Sequence, residues 1–258
     1  MTVQSWRALA LPFLCVVCAA SPARGQAGGQ AWGNFTFDWL PTNDLTYELD
    51  LEPKAQLIVH HDQPTFGEMK AVPQVSYTLS RWVDVLGEIE LVYQEQSNEI
   101  NSMTMAPRVG ASLHILSQIL RPPGGHGAAN EELPLRRVDF GWLVRLEDVH
   151  TFYSTSALQK SMWRARHRFG VAYPLNRPKI TDDGALYLTS DAELFMPIDQ
   201  DLKGGVINGL RLRTGFGYRE SFGLRYEVLY IWNGQRTTDS GAMAANFHAI
   251  DVRIRREF

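Results

Sequence analysis

Long segments in which apolar and polar residues alternate recur along the chain, up to its last residue, Phe258. Successive side chains of a β-strand point to opposite faces, so each segment has one apolar and one polar face. Strands of soluble proteins most often have about five or six residues, whereas a tilted strand needs about nine to eleven to cross a membrane. The pattern therefore predicts a transmembrane β-barrel, apolar toward lipid and polar toward its lumen. The segments are residues 32–40, 45–59, 71–80, 83–94, 103–116, 135–147, 162–174, 186–197, 208–218, 222–233 and 250–258.

The number of strands follows from a parity rule. Bacterial single-chain barrels have even numbers of strands, and the clear segments number eleven. We therefore predict an all-β, antiparallel barrel of twelve strands. The twelfth is expected at residues 149–156, where Phe152 and two threonines would follow a tight turn at Asp148. Ten strands is the alternative, if one end segment is peripheral.

The N-terminus predicts export. An apolar run over residues 8–20 follows Arg7, which is the length of a signal-peptide core and too short for a membrane helix. Small residues then give a cleavage site before Gln26, with Ser21 as the alternative first residue. We expect a signal peptide at residues 1–25 and a single barrel domain at residues 26–258, located in the bacterial outer membrane.

Composition excludes several classes of protein. Both cysteines, Cys15 and Cys18, lie in the predicted signal peptide, so no disulfide or thiol chemistry is expected. Without Arg7 and Arg24, 23 basic residues remain against 28 acidic ones, a net charge of about −5 that does not suit a nucleic-acid partner. No cofactor is expected. The adjacent His60, His61 and Asp62 lack a second cluster and are not predicted to bind a metal.

The last segment predicts two partners. Ile250, Val252, Ile254 and Phe258 share one face, which we expect to contact outer-membrane lipids. A terminal strand ending in an aromatic residue also predicts recognition by the barrel assembly machinery. Arg256 departs from the pattern, since it shares the apolar face and must extend its charge to the interface.

Charged residues on the polar faces are the candidate functional residues. Residues 26–129 contain twelve acidic and five basic residues, and residues 130–258 contain sixteen and eighteen. Consecutive strands lie side by side in the wall of a barrel, so residues 26–129 and residues 130–258 should form opposite sides. An acidic wall should therefore face an arginine wall. The acidic candidates are Glu48, Asp50, Glu52, Asp84, Glu88 and Glu90. The candidates for lining the lumen and binding anions are Arg145, Glu147, Arg164, Arg166, Arg168, Glu193, Arg211, Arg213, Arg225, Arg253 and Arg255.

Two interpretations of these charges stay open. In one, arginine and glutamate pair with each other and close a narrow lumen. In the other, the arginines line a porin-like channel for small anionic solutes, since a guanidinium binds carboxylate or phosphate through two parallel hydrogen bonds.

An enzyme is not predicted. Ser112 shares a face with His114, and Ser154 and Ser156 lie near His150, but no glycine-flanked serine accompanies either pair, so a lipid or ester hydrolase is only an alternative.

Short motifs spread over the whole of the predicted barrel domain carry a family resemblance. They are Trp32-Gly33-Asn34, Tyr47-Glu48-Leu49, Arg145-x-Glu147, Arg164-x-Arg166-x-Arg168 with Tyr173-Pro174-Leu175, Glu193-x-Phe195 and Arg211-x-Arg213-x-Gly215. In these the chain resembles the bacterial barrels grouped as domain of unknown function 2490. The resemblance implies an outer-membrane β-barrel of a Gram-negative bacterium and carries no activity with it. The last segment departs from such barrels in lacking a glycine.

Overall fold

The structure is a computed structural model that describes residues 28–58, 66–80, 82–96, 101–114, 138–154, 159–199, 206–221, 223–236 and 243–258. The predicted signal peptide and the His60-His61-Asp62 cluster lie outside the described residues. No helix in the described ranges is long and apolar enough to cross a membrane.

The described residues form eleven β-strands that close into one barrel. Each strand pairs antiparallel with its neighbour in the chain, and β1 closes the barrel by pairing in parallel with β11, from Gly28 opposite Phe247 to Asp38 opposite Glu257. The strands are β1 (Gly28–Trp39), β2 (Leu45–Ile58), β3 (Phe66–Ser80), β4 (Val83–Gln96), β5 (Ser102–His114), β6 (Asp139–Tyr153), β7 (Gln159–Pro174), β8 (Leu186–Pro197), β9 (Gly209–Arg219), β10 (Leu224–Arg236) and β11 (Met243–Glu257).

The all-β barrel is confirmed, and the strand count of twelve, or alternatively ten, is wrong. Residues 149–153 are not a separate strand, because β6 continues through Asp148 to Tyr153. Asp148 lies within the β6–β7 pairing, opposite Trp163, and its carboxylate is 3.0 Å from the His150 Nε2 atom. The parity rule fails because the parallel β1–β11 pair closes an odd number of strands.

Parallel closure places Gly28 and Phe258 at opposite ends of the barrel. The end that carries Phe258, here called the C-terminal end, also carries the short β1–β2 turn, since the Phe258 amide donates to the Asp38 carbonyl at 2.9 Å. The loop of residues 175–185 lies at this end as well. It is tied to β9 by hydrogen bonds from the Gly184 amide to the Arg219 carbonyl and from the Arg219 amide to the Ala185 carbonyl.

The outer face of the barrel is apolar and exposed. Every strand alternates as predicted, so that Phe35 on β1 points outward and the buried Asn34 and Thr36 point inward. Large outward side chains that are at least one-third exposed include Tyr47, Met69, Tyr77, Ile89, Tyr93, Met105, Val109, Leu146, Trp163, Val171, Phe216, Val228, Ile250 and Val252.

Aromatic rings mark the C-terminal end. Trp39 stacks on Phe258 with ring centroids 5.9 Å apart, and the guanidinium of Arg256 lies 5.5 Å from the Phe258 ring centroid. This explains how Arg256 can share the apolar face. Arg256 is the third residue from the C-terminus, β11 ends at the next residue, and its charge lies against an aromatic ring at the end of the barrel.

Candidate functional site

Charged side chains fill the middle of the barrel interior. All the predicted lumen residues, on both the arginine and the acidic strands, lie on inward faces, because alternation on each strand places them there. Several are fully buried. The arginines contact a small set of acidic residues.

Glu147 on β6 is one of two carboxylates that each contact three arginines. It has no exposed surface, and it contacts three guanidinium groups. Arg108 Nε lies 3.1 Å from Oε1, Arg166 Nη1 donates to Oε1 at 2.8 Å, and Arg164 Nε donates to Oε2 at 2.7 Å. Both oxygens of Glu147 are therefore engaged by cations from β5 and β7.

Glu193 on β8 has the same role two strands further on. It also has no exposed surface. Arg166 Nη2 donates to Oε1 at 2.6 Å, and Arg211 Nη1 and Arg213 Nη2 each donate to Oε2 at 3.4 Å. Arg213 Nε also donates to both oxygens of Asp191, at 2.8 and 3.0 Å. Arg166 thus connects the two buried glutamates.

Glu88 and Glu90 on β4 extend these contacts to the other side of Arg108. Arg108 Nη1 donates to Glu88 at 3.1 Å, Arg145 Nη1 donates to the same oxygen at 2.5 Å, and Arg108 Nη2 pairs with Glu90. A continuous set of ion pairs therefore links β4 to β9. We call it the central network, made up of Glu88, Glu90, Arg108, Arg145, Glu147, Arg164, Arg166, Asp191, Glu193, Arg211 and Arg213.

An aromatic ring lies beside the cations of the central network. The ring centroid of Phe195 is 4.9 Å from the Arg166 guanidinium and 5.2 Å from those of Arg164 and Arg211. The negative face of an aromatic ring attracts cations. Phe195 therefore packs between like charges that would otherwise repel one another.

The remaining inward charges pair in smaller groups on β10, β11 and β1 to β3. Arg255 donates to Asp38 at 2.5 Å and to Glu48 at 2.8 Å, and Arg253 donates to Asp251 at 2.7 Å. Further contacts are Arg253 with Glu227 at 3.7 Å, Arg219 at the end of β9 with Glu257 at 2.9 Å, Arg225 with Glu257, Lys54 with Glu68 at 2.5 Å, and Lys70 with Glu52 at 2.6 Å. Lys70 also lies 3.5 Å from Glu90 and so connects β3 to the central network.

Within the central network, the acids of the predicted acidic wall pair with arginines on nearby strands. Glu88 contacts an arginine on the adjacent strand, Arg108, and another two strands away, Arg145, instead of facing arginines across the lumen. Sequence reasoning missed Arg108, although it lies on the polar face of a recognised segment. It also missed Asp38 and the lysines Lys54 and Lys70, each of which the same alternation would have found.

A cavity of about 590 Å³ lies inside the barrel on the C-terminal side of the central network. Ile180 of the 175–185 loop lines it, as do Glu48 and Asp50 on β2 and Arg168 on β7. These strands lie on opposite sides of the barrel, because β2 and β7 are five strands apart in a ring of eleven. The cavity is therefore lined by acids on one wall and by arginine on the other.

Ser112 and His114, one of the two serine and histidine pairs that suggested a hydrolase, do not form the contact that activates a serine. His114 Nε2 lies 2.7 Å from Asp84 Oδ2, and Ser112 lies opposite Asp84 in the β4–β5 register. Ser112 forms no hydrogen bond with His114, however, and the Ser154 hydroxyl accepts from the Asn101 amide. A nucleophile needs its base within hydrogen-bond reach. Ser156 lies outside the described residues, and no group of three or more potential ligands within the described ranges is placed to hold a metal ion.

Comparison with known proteins does not identify a relative. No protein-family model matches the chain, and no curated protein matches it. The resemblance to the barrels of domain of unknown function 2490 therefore depends on the short motifs alone.

Proposed function

We propose that the chain is an outer-membrane β-barrel whose lumen is closed at mid-height by the central network. The observation that carries this proposal is the complete burial of Glu147 and Glu193, each held by three arginines from neighbouring strands. A lumen blocked by paired charges does not pass solutes, which favours the closed barrel over the anion channel. We propose no enzymatic activity.

The membrane location is supported by the outer face. Its large apolar side chains are exposed on strands all around the barrel, whereas most of the charged strand residues are inside, which is the inverse of a soluble protein. The family motifs point in the same direction, and we infer from them that the chain is related to the barrels of domain of unknown function 2490. Signal-peptide removal, contact with outer-membrane lipids and assembly through the strand that ends at Phe258 belong to the same proposal.

Lipid contact is tested by fluorescence quenching. Both native cysteines precede residue 26, so a protein beginning at Gln26 has none and a single introduced cysteine carries a bimane label. Bimane at Val228→Cys, an outward position that is 54% exposed, should be quenched by brominated lipid in vesicles. The matched control, Gln74→Cys, lines the interior cavity and should not be quenched. Equal quenching at both sites, or at neither, would contradict the membrane location.

Closure of the lumen is tested by planar-bilayer recording. The folded wild-type protein should give no stepwise conductance. The charge-balanced double variant Arg166→Ala/Glu193→Ala removes two side chains from the centre of the network and should conduct ions, because it opens the most buried part of the lumen. The control Asp38→Ala/Arg255→Ala removes a pair outside the central network and should remain closed.

Steady anion-selective conductance of the wild-type protein would contradict the closed barrel. If that selectivity then fell in Arg164→Ala/Arg166→Ala/Arg168→Ala, the recordings would establish the anion channel in its place.

A further inference from the structure

Among the inward arginines on the candidate list, one has no ion pair with any described residue. Arg168 follows Arg166 on the inward face of β7 and lines the cavity on the C-terminal side of the central network. Its guanidinium forms no hydrogen bond or ion pair with any residue that the structure describes. Every other arginine on the candidate list has an acidic partner.

The acids nearest to Arg168 are already paired. Glu193 is its partner in the β7–β8 register, but both Glu193 oxygens accept from Arg166, Arg211 and Arg213. Both oxygens of Asp191 accept from Arg213. The central network itself contains six arginines and only five carboxylates, so it offers Arg168 no free acid. An uncompensated charge in a partly buried site is unfavourable, and an added anion relieves it.

The opposite wall of the cavity limits which anion fits. Glu48, Asp50 and Asp84 line this wall, on β2 and β4. Asp50 accepts a hydrogen bond from Thr36 at 2.5 Å and forms no ion pair with a described residue. Like charges brought together in a lumen of low dielectric repel strongly. A solute with several negative charges is therefore disfavoured, whereas a solute with one oxyanion group and a neutral or cationic remainder suits both walls.

We propose that Arg168 binds the carboxylate or other oxyanion group of a small water-soluble solute in the lumen cavity. The guanidinium fork matches a planar oxyanion through two parallel hydrogen bonds, and the cavity of about 590 Å³ has the size of an ordinary small-molecule site. The proposal rests on the closed barrel proposed above, because a closed lumen retains a solute where an open one would pass it.

Calorimetric titration of the folded protein in detergent at constant ionic strength tests the site. Glycine betaine, with one carboxylate and a cationic remainder, and butyrate, with one carboxylate and a neutral remainder, should bind; citrate, with three carboxylates, should bind at least about tenfold more weakly. Arg168→Gln should weaken betaine binding by about tenfold or more, and Arg168→Lys by less, since lysine keeps the charge without the fork. Arg256→Gln is the matched control, because Arg256 lies on the outer face, and it should bind as the wild type does.

Two further measurements separate binding from a structural role. Arg168→Gln should not lower thermal stability, because no ion pair with a described residue is lost, whereas an arginine that holds the fold together would lower it. Asp50→Asn should raise citrate affinity by removing one repelling charge. The proposal is overturned if neither betaine nor butyrate binds, if Arg168→Gln binds betaine as the wild type does, or if citrate binds more tightly than betaine. Conductance of the wild-type protein would overturn the closed barrel but not Arg168-dependent binding, so the two failures are distinguishable.

Discussion

Replacement of Glu147 by glutamine should lower the free energy of unfolding by about 3–5 kcal/mol, which is the cost of removing one partner from a buried ion pair. Glutamine keeps the shape of the side chain but loses its negative charge. Arg108, Arg164 and Arg166 would then share a buried site with one fewer carboxylate. Urea titration of the protein in lipid vesicles, followed by tryptophan fluorescence, measures the loss.

Matched and compensating variants make the Glu147 result specific. Glu227→Gln removes a partly exposed acid whose ion pair with Arg253 is 3.7 Å long, so it should cost far less. Arg108 keeps its contacts with Glu88 and Glu90 and Arg166 keeps Glu193, whereas Arg164 has no other ion pair with a described residue. Arg164→Gln added to Glu147→Gln therefore removes the one cation left without a partner and should restore part of the lost stability. If Glu147→Gln cost no more than Glu227→Gln, the central network would not contribute to the stability of the barrel.

The inward and outward faces of the strands could be predicted because strand alternation has a period of two. Arg253 and Arg255 point into the barrel and Ile250 and Val252 point out of it, as the sequence of β11 alone indicates. The same reasoning placed Arg164, Arg166 and Arg168 on one inward face. A slip of one residue in such a strand would move every charge to the apolar side, so the pattern leaves little freedom.

The strand number could not be predicted, because alternation carries no information about which strands pair or in which direction. Eleven segments were recognisable, and only the parallel β1–β11 pair shows that eleven is the final number. The sequence also predicts a tight turn at Asp148, before a separate twelfth strand. In the structure it stays in β6 near the end of the barrel, paired with His150.

The partners of each charge could not be predicted either. Which inward side chains meet depends on the stagger between strands, and long side chains reach past their immediate neighbours. Glu88 contacts Arg145 from two strands away, and Arg168 is left unpaired although Glu193 is its partner in register. Composition therefore indicates that charges will pair inside the barrel, whereas the identity of the unpaired residue requires the three-dimensional arrangement.

Replacement of Gly215 by alanine should be the most disruptive single-methyl change in β9. Gly215 lies on the inward face, and a Cβ atom there would meet the backbone of β10, at the Val228 carbonyl and 2.8 Å from the Leu229 Cα atom. Glycine within a strand allows such a close approach of two backbones. Since a backbone cannot move aside as a side chain does, the barrel wall itself must shift, at a cost of about 3 kcal/mol or more.

Two other glycines provide the comparison for Gly215. At Gly217, on the same face of β9, an added Cβ would meet the ring of Tyr187, which can rotate away at the expense of its hydrogen bond to Glu227. Gly217→Ala should therefore cost less than Gly215→Ala. Gly87 on the outer face of β4 has no atom within 4 Å of an added Cβ, so Gly87→Ala should be neutral or slightly stabilising. Unfolding in urea should rank the three variants in that order; equal losses at Gly215 and Gly87 would show that β9 and β10 do not approach as closely as the structure has them.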